Sequence, residues 1–344
     1  MRYTIAFCMA SLAATPTLAE VPRVVTDIPP VHSLVAQVMG DLGSPELLLD
    51  RGADEHSFQL RPSQAAALND AGLVFWIGPE LTPWLERALE GVPETVTSVA
   101  LLDAAGTVTR SYADKPDGAG HDGHGAEEHG HDEHGHEEHG HEEHGHESDK
   151  DTGHEGEAGH DGDAHEGHDH SGVDAHAWLM PANATNWVGV IAEQLSLADP
   201  ENAAVYAANA AAAVANIAAA DAAAKAALAP VAERPFVVYH DAFGYFAASY
   251  GLTIAGSVAE GDAAAPGAAR VAALRDMVAA GGAVCVFPEV QHDPALLEQI
   301  TEGSPVRTGN ELDPVGSSHE PGPDMYGALI TGMANTIAAC LSGN

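Results

Sequence analysis

Fifty-one aspartates and glutamates against 13 lysines and arginines give this 344-residue chain a formal charge of −38, with 45% hydrophobic residues and 3 cysteines. Such a charge excludes nucleic acid and anionic membrane as natural partners and suits cations. The length fits about two domains, each large enough to bury a core.

At the N-terminus Arg2 precedes a mostly apolar run from Ile5 to Ala14, and Thr17-Leu18-Ala19 closes it. This pattern predicts a secretory signal peptide over residues 1–19, cut after Ala19 so that the mature chain starts at Glu20. Cys8 follows bulky Phe7 inside the apolar run, unlike a lipoprotein cleavage site, so a soluble exported protein is expected. Removal of the signal leaves Cys285 and Cys340, an even pair in an oxidising compartment, which predicts a disulfide; the alternative is two buried thiols. The bridge would close a loop of over fifty residues and contribute about 4 kcal/mol through chain entropy. No later stretch reads as a membrane span.

From Val24 short apolar runs alternate with helical patterns, the signature of an α/β fold with a largely parallel sheet. Strands are expected at Val24–Thr26, Glu46–Leu49 and Leu73–Ile77. Helices are expected at Val31–Met39, Pro62–Asn69 and Pro83–Leu89, with Pro62 and Pro83 at first helical positions where a missing N–H costs nothing. After position 171, Pro181 starts a helix to about Leu197. An alanine-rich stretch from Asp199 to Leu228 follows, with Tyr206, Ala210, Ala213, Ile217, Ala224 and Leu228 at helical spacing. A helix that long could brace two domains. The alternation then resumes, with strands at Phe236–Tyr239 and Ala283–Phe287 and helices at Phe243–Tyr250, Gly267–Ala280, Pro294–Glu302 and Tyr326–Cys340. The domain reading is an N-terminal α/β domain over 20–198, a linker helix over 199–229 and a C-terminal α/β domain over 230–344.

Between Asp114 and Ser171 lies a low-complexity segment holding 15 of the chain's 21 histidines. At its centre four five-residue units, EEHGH, DEHGH, EEHGH and EEHGH, place His129, His131, His134, His136, His139, His141, His144 and His146 among carboxylates. A glycine every fifth residue fits neither helix nor strand, so a disordered loop is expected. Imidazole with carboxylate suits Zn²⁺, with Cu²⁺ and Ni²⁺ as competitors, which makes the loop an accessory metal-binding tether; the bland alternative is a solvated acidic linker.

Three histidines in the ordered sequence follow strands or open segments. His56 lies in Arg51-Gly52-Ala53-Asp54-Glu55-His56-Ser57-Phe58, His176 in Asp174-Ala175-His176-Ala177-Trp178, and His240 directly after its strand. Ligands of open α/β sheets collect at the carboxyl ends of strands. Three neutral imidazoles favour Zn²⁺ over Mn²⁺, although the scattered spacing is equally compatible with structural histidines. His32 is expected to pack or cap, His292 and His319 to lie on the surface, and Trp178, Phe243 and Tyr245 to pack around the site. A zinc hydrolase would need a base beside an activated water, and neither HExxH nor an obvious oxyanion arrangement occurs, so no enzyme is expected.

The runs GADEHSFQLRPSQ, DAHAWLMP, VYHDAFGYF, PGAARVAALRDMV, VCVFPEVQ and LDPVGSS, with the histidine-rich insertion ahead of DAHAW, resemble the zinc-binding proteins of bacterial zinc-uptake ABC transporters, the cluster A-I solute-binding proteins. The resemblance covers essentially the whole mature chain. It implies two (β/α) domains with mostly parallel sheets joined by one long backbone helix, with the metal in the cleft between them. It also implies a periplasmic monomer that binds Zn²⁺ with high affinity and delivers it to a membrane permease with a cytoplasmic ATPase. Carried over by position, the ligands are His56, His176 and His240, the fourth being Glu55 or water, with Asp313 as the alternative that manganese-type relatives suggest. The Cys285–Cys340 bridge matches zinc-type members. A competing reading is a periplasmic zinc buffer or chaperone acting mainly through the loop.

Overall fold

Two runs of short parallel strands, each wrapped by helices, build the protein, for which a computed structural model describes residues 21–112, 172–259 and 266–343. The expected signal peptide and the histidine-rich segment, with His129 to His146, lie outside the described residues. The first half comprises β1 (Val24–Thr26), α1 (Pro29–Met39), β2 (Glu46–Leu47), α2 (Pro62–Asn69), β3 (Leu73–Trp76), α3 (Pro83–Leu89), β4 (Thr97–Ala100) and α4 (Pro181–Ala198). Next comes α5 (Ala203–Leu228), preceded by a 3₁₀ turn over Pro200–Asn202. The second half comprises β5 (Phe236–Val238), α6 (Gly244–Tyr250), β6 (Ile254–Ser257), α7 (Ala268–Ala279), β7 (Cys285–Val286), α8 (Ala295–Thr301), β8 (Arg307–Thr308) and α9 (Met325–Ser342).

All pairings are parallel, and the two sheets repeat one order, β2-β1-β3-β4 and β6-β5-β7-β8. In each, the chain leaves the first strand for one neighbour and returns to the other side, creating a switch point at the strands' carboxyl ends. The α/β fold expected from the alternation is therefore present twice. Helix α1 starts at Pro29, two residues earlier than its apolar period indicated, because consecutive prolines fit the first turn of a helix. Three strands escaped the sequence reading, namely β4, β6 and β8. Each is an edge strand with one neighbour, and both residues of β8 are exposed. An edge strand needs no continuous apolar run, so nothing marked them.

One contiguous core runs through both halves, from Val24 and Leu34 through Trp187, Tyr206 and Phe236 to Tyr326 and Leu341. Smaller clusters line the outer faces of the two sheets, around Val74 and Leu85 in the first and around Val286 and Leu274 in the second. Helix α5 packs on α1, α4 and α9, and α9 returns to touch α1, so helices of both halves share the seam. Polar ties cross it as well. Ser33 donates to the Pro323 carbonyl at 3.0 Å and accepts the Tyr326 N–H at 3.0 Å, while Trp178 Nε1 donates to the Pro314 carbonyl at 2.8 Å. The described residues fall within one compact unit.

Two segments, Pro200–Leu228 and Met325–Ser342, are long and apolar enough by composition to cross a membrane, which corrects the expectation that no such stretch follows the signal. The apolarity of the first is mostly alanine, and both helices serve as braces within the fold. Cys285 on β7 and Cys340 on α9 form a disulfide with a sequence separation of 55, pinning the last helix to the second sheet.

Candidate metal centre

The carboxyl end of β5 leads through Tyr239 to His240, and the residue that fixes its ring comes from beyond β7. Glu289 accepts the His240 backbone N–H at 3.1 Å and pairs with its Nδ1 at 2.5 Å. Since Glu289 has no exposed side-chain surface, this carboxylate defines both ring orientation and tautomer: Nδ1 carries the proton and Nε2 is left as an acceptor. His176 is built the same way over a shorter span. Asp174, two residues earlier, accepts the His176 backbone N–H at 3.0 Å and pairs with Nδ1 at 2.9 Å. Asp174 is itself held, its carbonyl accepting from the Tyr245 hydroxyl, which in turn accepts the Arg110 N–H.

His56 arrives from a loop. Asp54 accepts the His56 N–H at 2.9 Å and the Ser57 hydroxyl at 2.9 Å, Trp84 Nε1 holds the Glu55 carbonyl at 2.7 Å, and Phe58 packs edge-on against Trp84. Downstream, Gln64 donates to the Leu48 carbonyl at 2.6 Å while its own carbonyl oxygen accepts the Arg61 N–H, anchoring α2 against the end of β2. From the opposite side Gln291 donates to the Ala53 carbonyl at 2.7 Å and to Glu55 at 3.2 Å.

The three imidazoles converge. One ligand nitrogen from each of His56, His176 and His240 lies within 4.8 Å of the other two, and the Nε2 atoms of His176 and His240 are 3.4 Å apart. With zinc–nitrogen bonds of about 2.0–2.1 Å, the edge of a tetrahedral site is roughly 3.3 Å. That spacing therefore suits two nitrogens on one ion. Burial makes the pair more demanding, because lone pairs aimed at one point in a low-dielectric interior favour a cation between them. Three nitrogen donors, each neutral when ligating, match zinc better than oxygen-seeking manganese.

The fourth position has two occupants to consider. Glu55 is buried, its carboxyl 3.7 Å from His56 Nε2. Burial pushes its pKa up to about 7, against the lowering pull of its own backbone N–H and of His240 and His176. It does not belong to the tight nitrogen group, whereas a water would fit tetrahedral zinc equally well. Asp313 accepts the backbone N–H groups and hydroxyls of Ser317 and Ser318 through its two oxygens.

The expected packing residues are in place. Trp178 lies 5.1 Å from His176 and Phe243 lies 6.3 Å from His240, ring centre to ring centre. His32 is buried with Nε2 on the Pro45 carbonyl, as a packing role requires. His292 differs from its surface reading. It is half-buried, stacked on Tyr239 at 4.2 Å, 5.7 Å from the His240 ring, and burial lowers its pKa while Glu289 works against that shift. Sequence reasoning also passed over Asp174, Glu289 and Gln291. Asp174 had a signal, the D-x-H spacing that lets one carboxylate meet both backbone and ring; Glu289 had none beyond its proximity to a strand end. A cavity of about 720 Å³ lies elsewhere, between the 309–313 loop and α9, lined by Asp313 and His319 but by none of the three histidines.

Comparisons with known proteins identify the family. The family model described as zinc-uptake complex component A, periplasmic (ZnuA), matches residues 24–340. The high-affinity zinc uptake system protein ZnuA of Paracoccus denitrificans is 54% identical over 332 residues, 96% of this chain and 95% of that protein. Its namesake in Brucella suis biovar 1 is 40% identical over 336 residues, 98% of this chain and 95% of that one. Among solved structures, a ZnuA crystal structure aligns with a TM-score of 0.68 at 22% identity, covering 93% of this chain and 99% of that chain. The manganese complex of the solute-binding protein FpvC from Pseudomonas aeruginosa gives 0.69 at 17%, covering 94% and 99%. At such identities the structural likeness concerns the fold.

Proposed function

The chain belongs to the family of periplasmic zinc-uptake complex components A, and from that membership we propose that it binds Zn²⁺ in the periplasm with high affinity and delivers it to the membrane permease of an ABC importer driven by a cytoplasmic ATPase. On this reading residues 1–19 direct export and are removed, and the mature chain works as a monomer. The lobes are 20–198 and 230–344, with 199–229 as their connecting helix. The cargo is held by His56, His176 and His240, completed by water or Glu55. No bond-making chemistry is assigned to the ion, so the protein is a carrier and not an enzyme. His129 to His146 act as an accessory loop that raises the local zinc concentration.

The observation that supports the reading most strongly is the pair of buried Nε2 atoms 3.4 Å apart, each on a ring whose other nitrogen is backed by a carboxylate. Carboxylate-backed imidazole is the arrangement that fixes zinc ligands in the correct tautomer and raises their basicity. Release follows from the same chemistry, since ligating histidines must be deprotonated and affinity falls as pH drops through the histidine range of about 6.5. The test is a chelator-competition titration with Zn²⁺ and with Mn²⁺ on the mature chain and on its His56→Ala, His176→Ala and His240→Ala variants. Loss of tight zinc binding in each variant, with manganese bound weakly throughout, is the expected result. Full zinc affinity in all three would refute it.

A further inference from the structure

A second group of potential ligands, His240, Glu289 and His292, also has its ligand atoms within 4.8 Å of one another. It shares His240 with the three-histidine group but uses the other side of the ring. His240 directs Nε2 to His176 at 3.4 Å, while its Nδ1 is 2.5 Å from Glu289, whose same oxygen is 3.7 Å from His292 Nε2. The turn that places them is local: the His292 N–H donates to the Glu289 carbonyl at 3.2 Å, and Tyr239 stacks on the His292 ring with planes 12° apart. Only His292 reaches solvent to any extent. The side chain of His292 is 30% exposed and that of His240 5%, while those of Glu289 and His176 are fully buried.

Building on the three-histidine reading above, we propose that Glu289 and His292 form an outer landing site for the cation, through which zinc passes to and from the inner histidines by way of His240. An oxygen donor behind the partly exposed His292 imidazole suits a partly hydrated Zn²⁺, which keeps water in its remaining positions. Neutral imidazole has one proton, so His240 cannot ligate through both nitrogens at once without losing it. A cation held outside takes Nδ1 while the proton sits on Nε2. As the cation moves to Nε2 that proton leaves to solvent, Nδ1 is reprotonated, and Glu289 again accepts its hydrogen bond. The two sites are thus alternative, and the cleft holds one zinc at a time. Glu289 has two successive tasks, ligand during passage and support for His240 afterwards.

A residue on the path that is absent from the final coordination changes rates and not the equilibrium. The experiment is stopped-flow tryptophan fluorescence, with Trp178 beside His176 as reporter, on the full mature chain mixed with Zn²⁺, and then on the loaded chain mixed with excess EDTA. Both His292→Ala and His292→Phe, the latter able to keep the stack on Tyr239, should slow association and release together by about tenfold. Their ratio, and one cleft zinc per chain, should stay as in the parent. Unchanged rates in both variants, or weakened affinity at unchanged association, would overturn the landing site. His240→Ala separates this from the reading beneath it. Tight zinc binding without His240 refutes the inner site, whereas its loss alongside parental rates in the His292 variants refutes only the outer one.

Discussion

The two lobes have the same strand order and use their switch points differently. In the second, two residues beyond the first strand lies a ligand candidate, His240, tied across to the end of β7 by Glu289. In the first, the residue directly after the first strand is Asp27, fully buried, whose oxygens accept the N–H groups of Ile28 at 2.7 Å and Ile77 at 2.8 Å and so tie β1 to the end of β3. Its ligand candidate, His56, is displaced to the loop after β2 and is steadied in part by Gln291 of the other lobe. A shared topology therefore supplies two crevices, one closed by a structural carboxylate and one opened to chemistry. The difference lies in which polar group the chain places at the strand end.

The largest effect should come from the element that only the second lobe has. Replacing Cys285 and Cys340 by serine opens a loop of separation 55 and should cost about 4 kcal/mol of unfolding free energy on the chain-entropy account. Denaturant titration of the double variant beside the parent measures it. Next come the carboxylates behind the rings. Glu289→Gln and Asp174→Asn should each weaken zinc roughly 10- to 100-fold without changing the number bound, as read by chelator competition. For the first lobe's loop, Gln291→Ala removes two hydrogen bonds to residues 53–55 and should weaken zinc by only about fivefold, equivalent to about 1 kcal/mol.

The smallest effect on zinc belongs to Asp27→Asn, which should leave binding intact and alter stability alone. Burial raises the Asp27 pKa from 3.8 to about 7, outweighing the backbone N–H groups that favour its charged form. The folded state thus binds a proton that the unfolded chain has already released. The stabilising contribution is complete below pH 3.8 and is lost as pH rises toward about 7. Asparagine cannot ionise, so its stability should decline less over that window, although one backbone N–H loses its acceptor. Equal pH slopes in urea unfolding of parent and variant would contradict this.

Much of this organisation was legible in the chain. Proline at helix starts, apolar runs of β-branched residues and the alanine-rich stretch marked α2, α3, α4, α5, β1, β3 and β5 because each is a local signal that tertiary packing reinforces. The edge strands β4 and β8 were illegible, since their stability comes from a neighbour's hydrogen bonds and not from their own apolar pattern. At the site, positions after strands singled out His56 and His240, and the opening of an ordered segment singled out His176. What the sequence could not show is which carboxylate meets which ring, for Glu289 lies 49 residues from His240, nor that the turn after β7 brings His292 back to Tyr239. Nor could it show that Asp313, an acid in a suggestive motif, accepts hydrogen bonds from Ser317 and Ser318 of its own loop.

The central claim is that tight zinc binding resides in the folded cleft and not in the histidine-rich segment. Competition titration of the mature chain, of a chain lacking residues 114–171, and of His240→Ala in each background tests it most directly. The account predicts one tight site per chain that survives the deletion and vanishes with His240 in both backgrounds. Tight binding that disappears with residues 114–171 and ignores His240 would make the protein a zinc buffer and contradict the three-histidine centre.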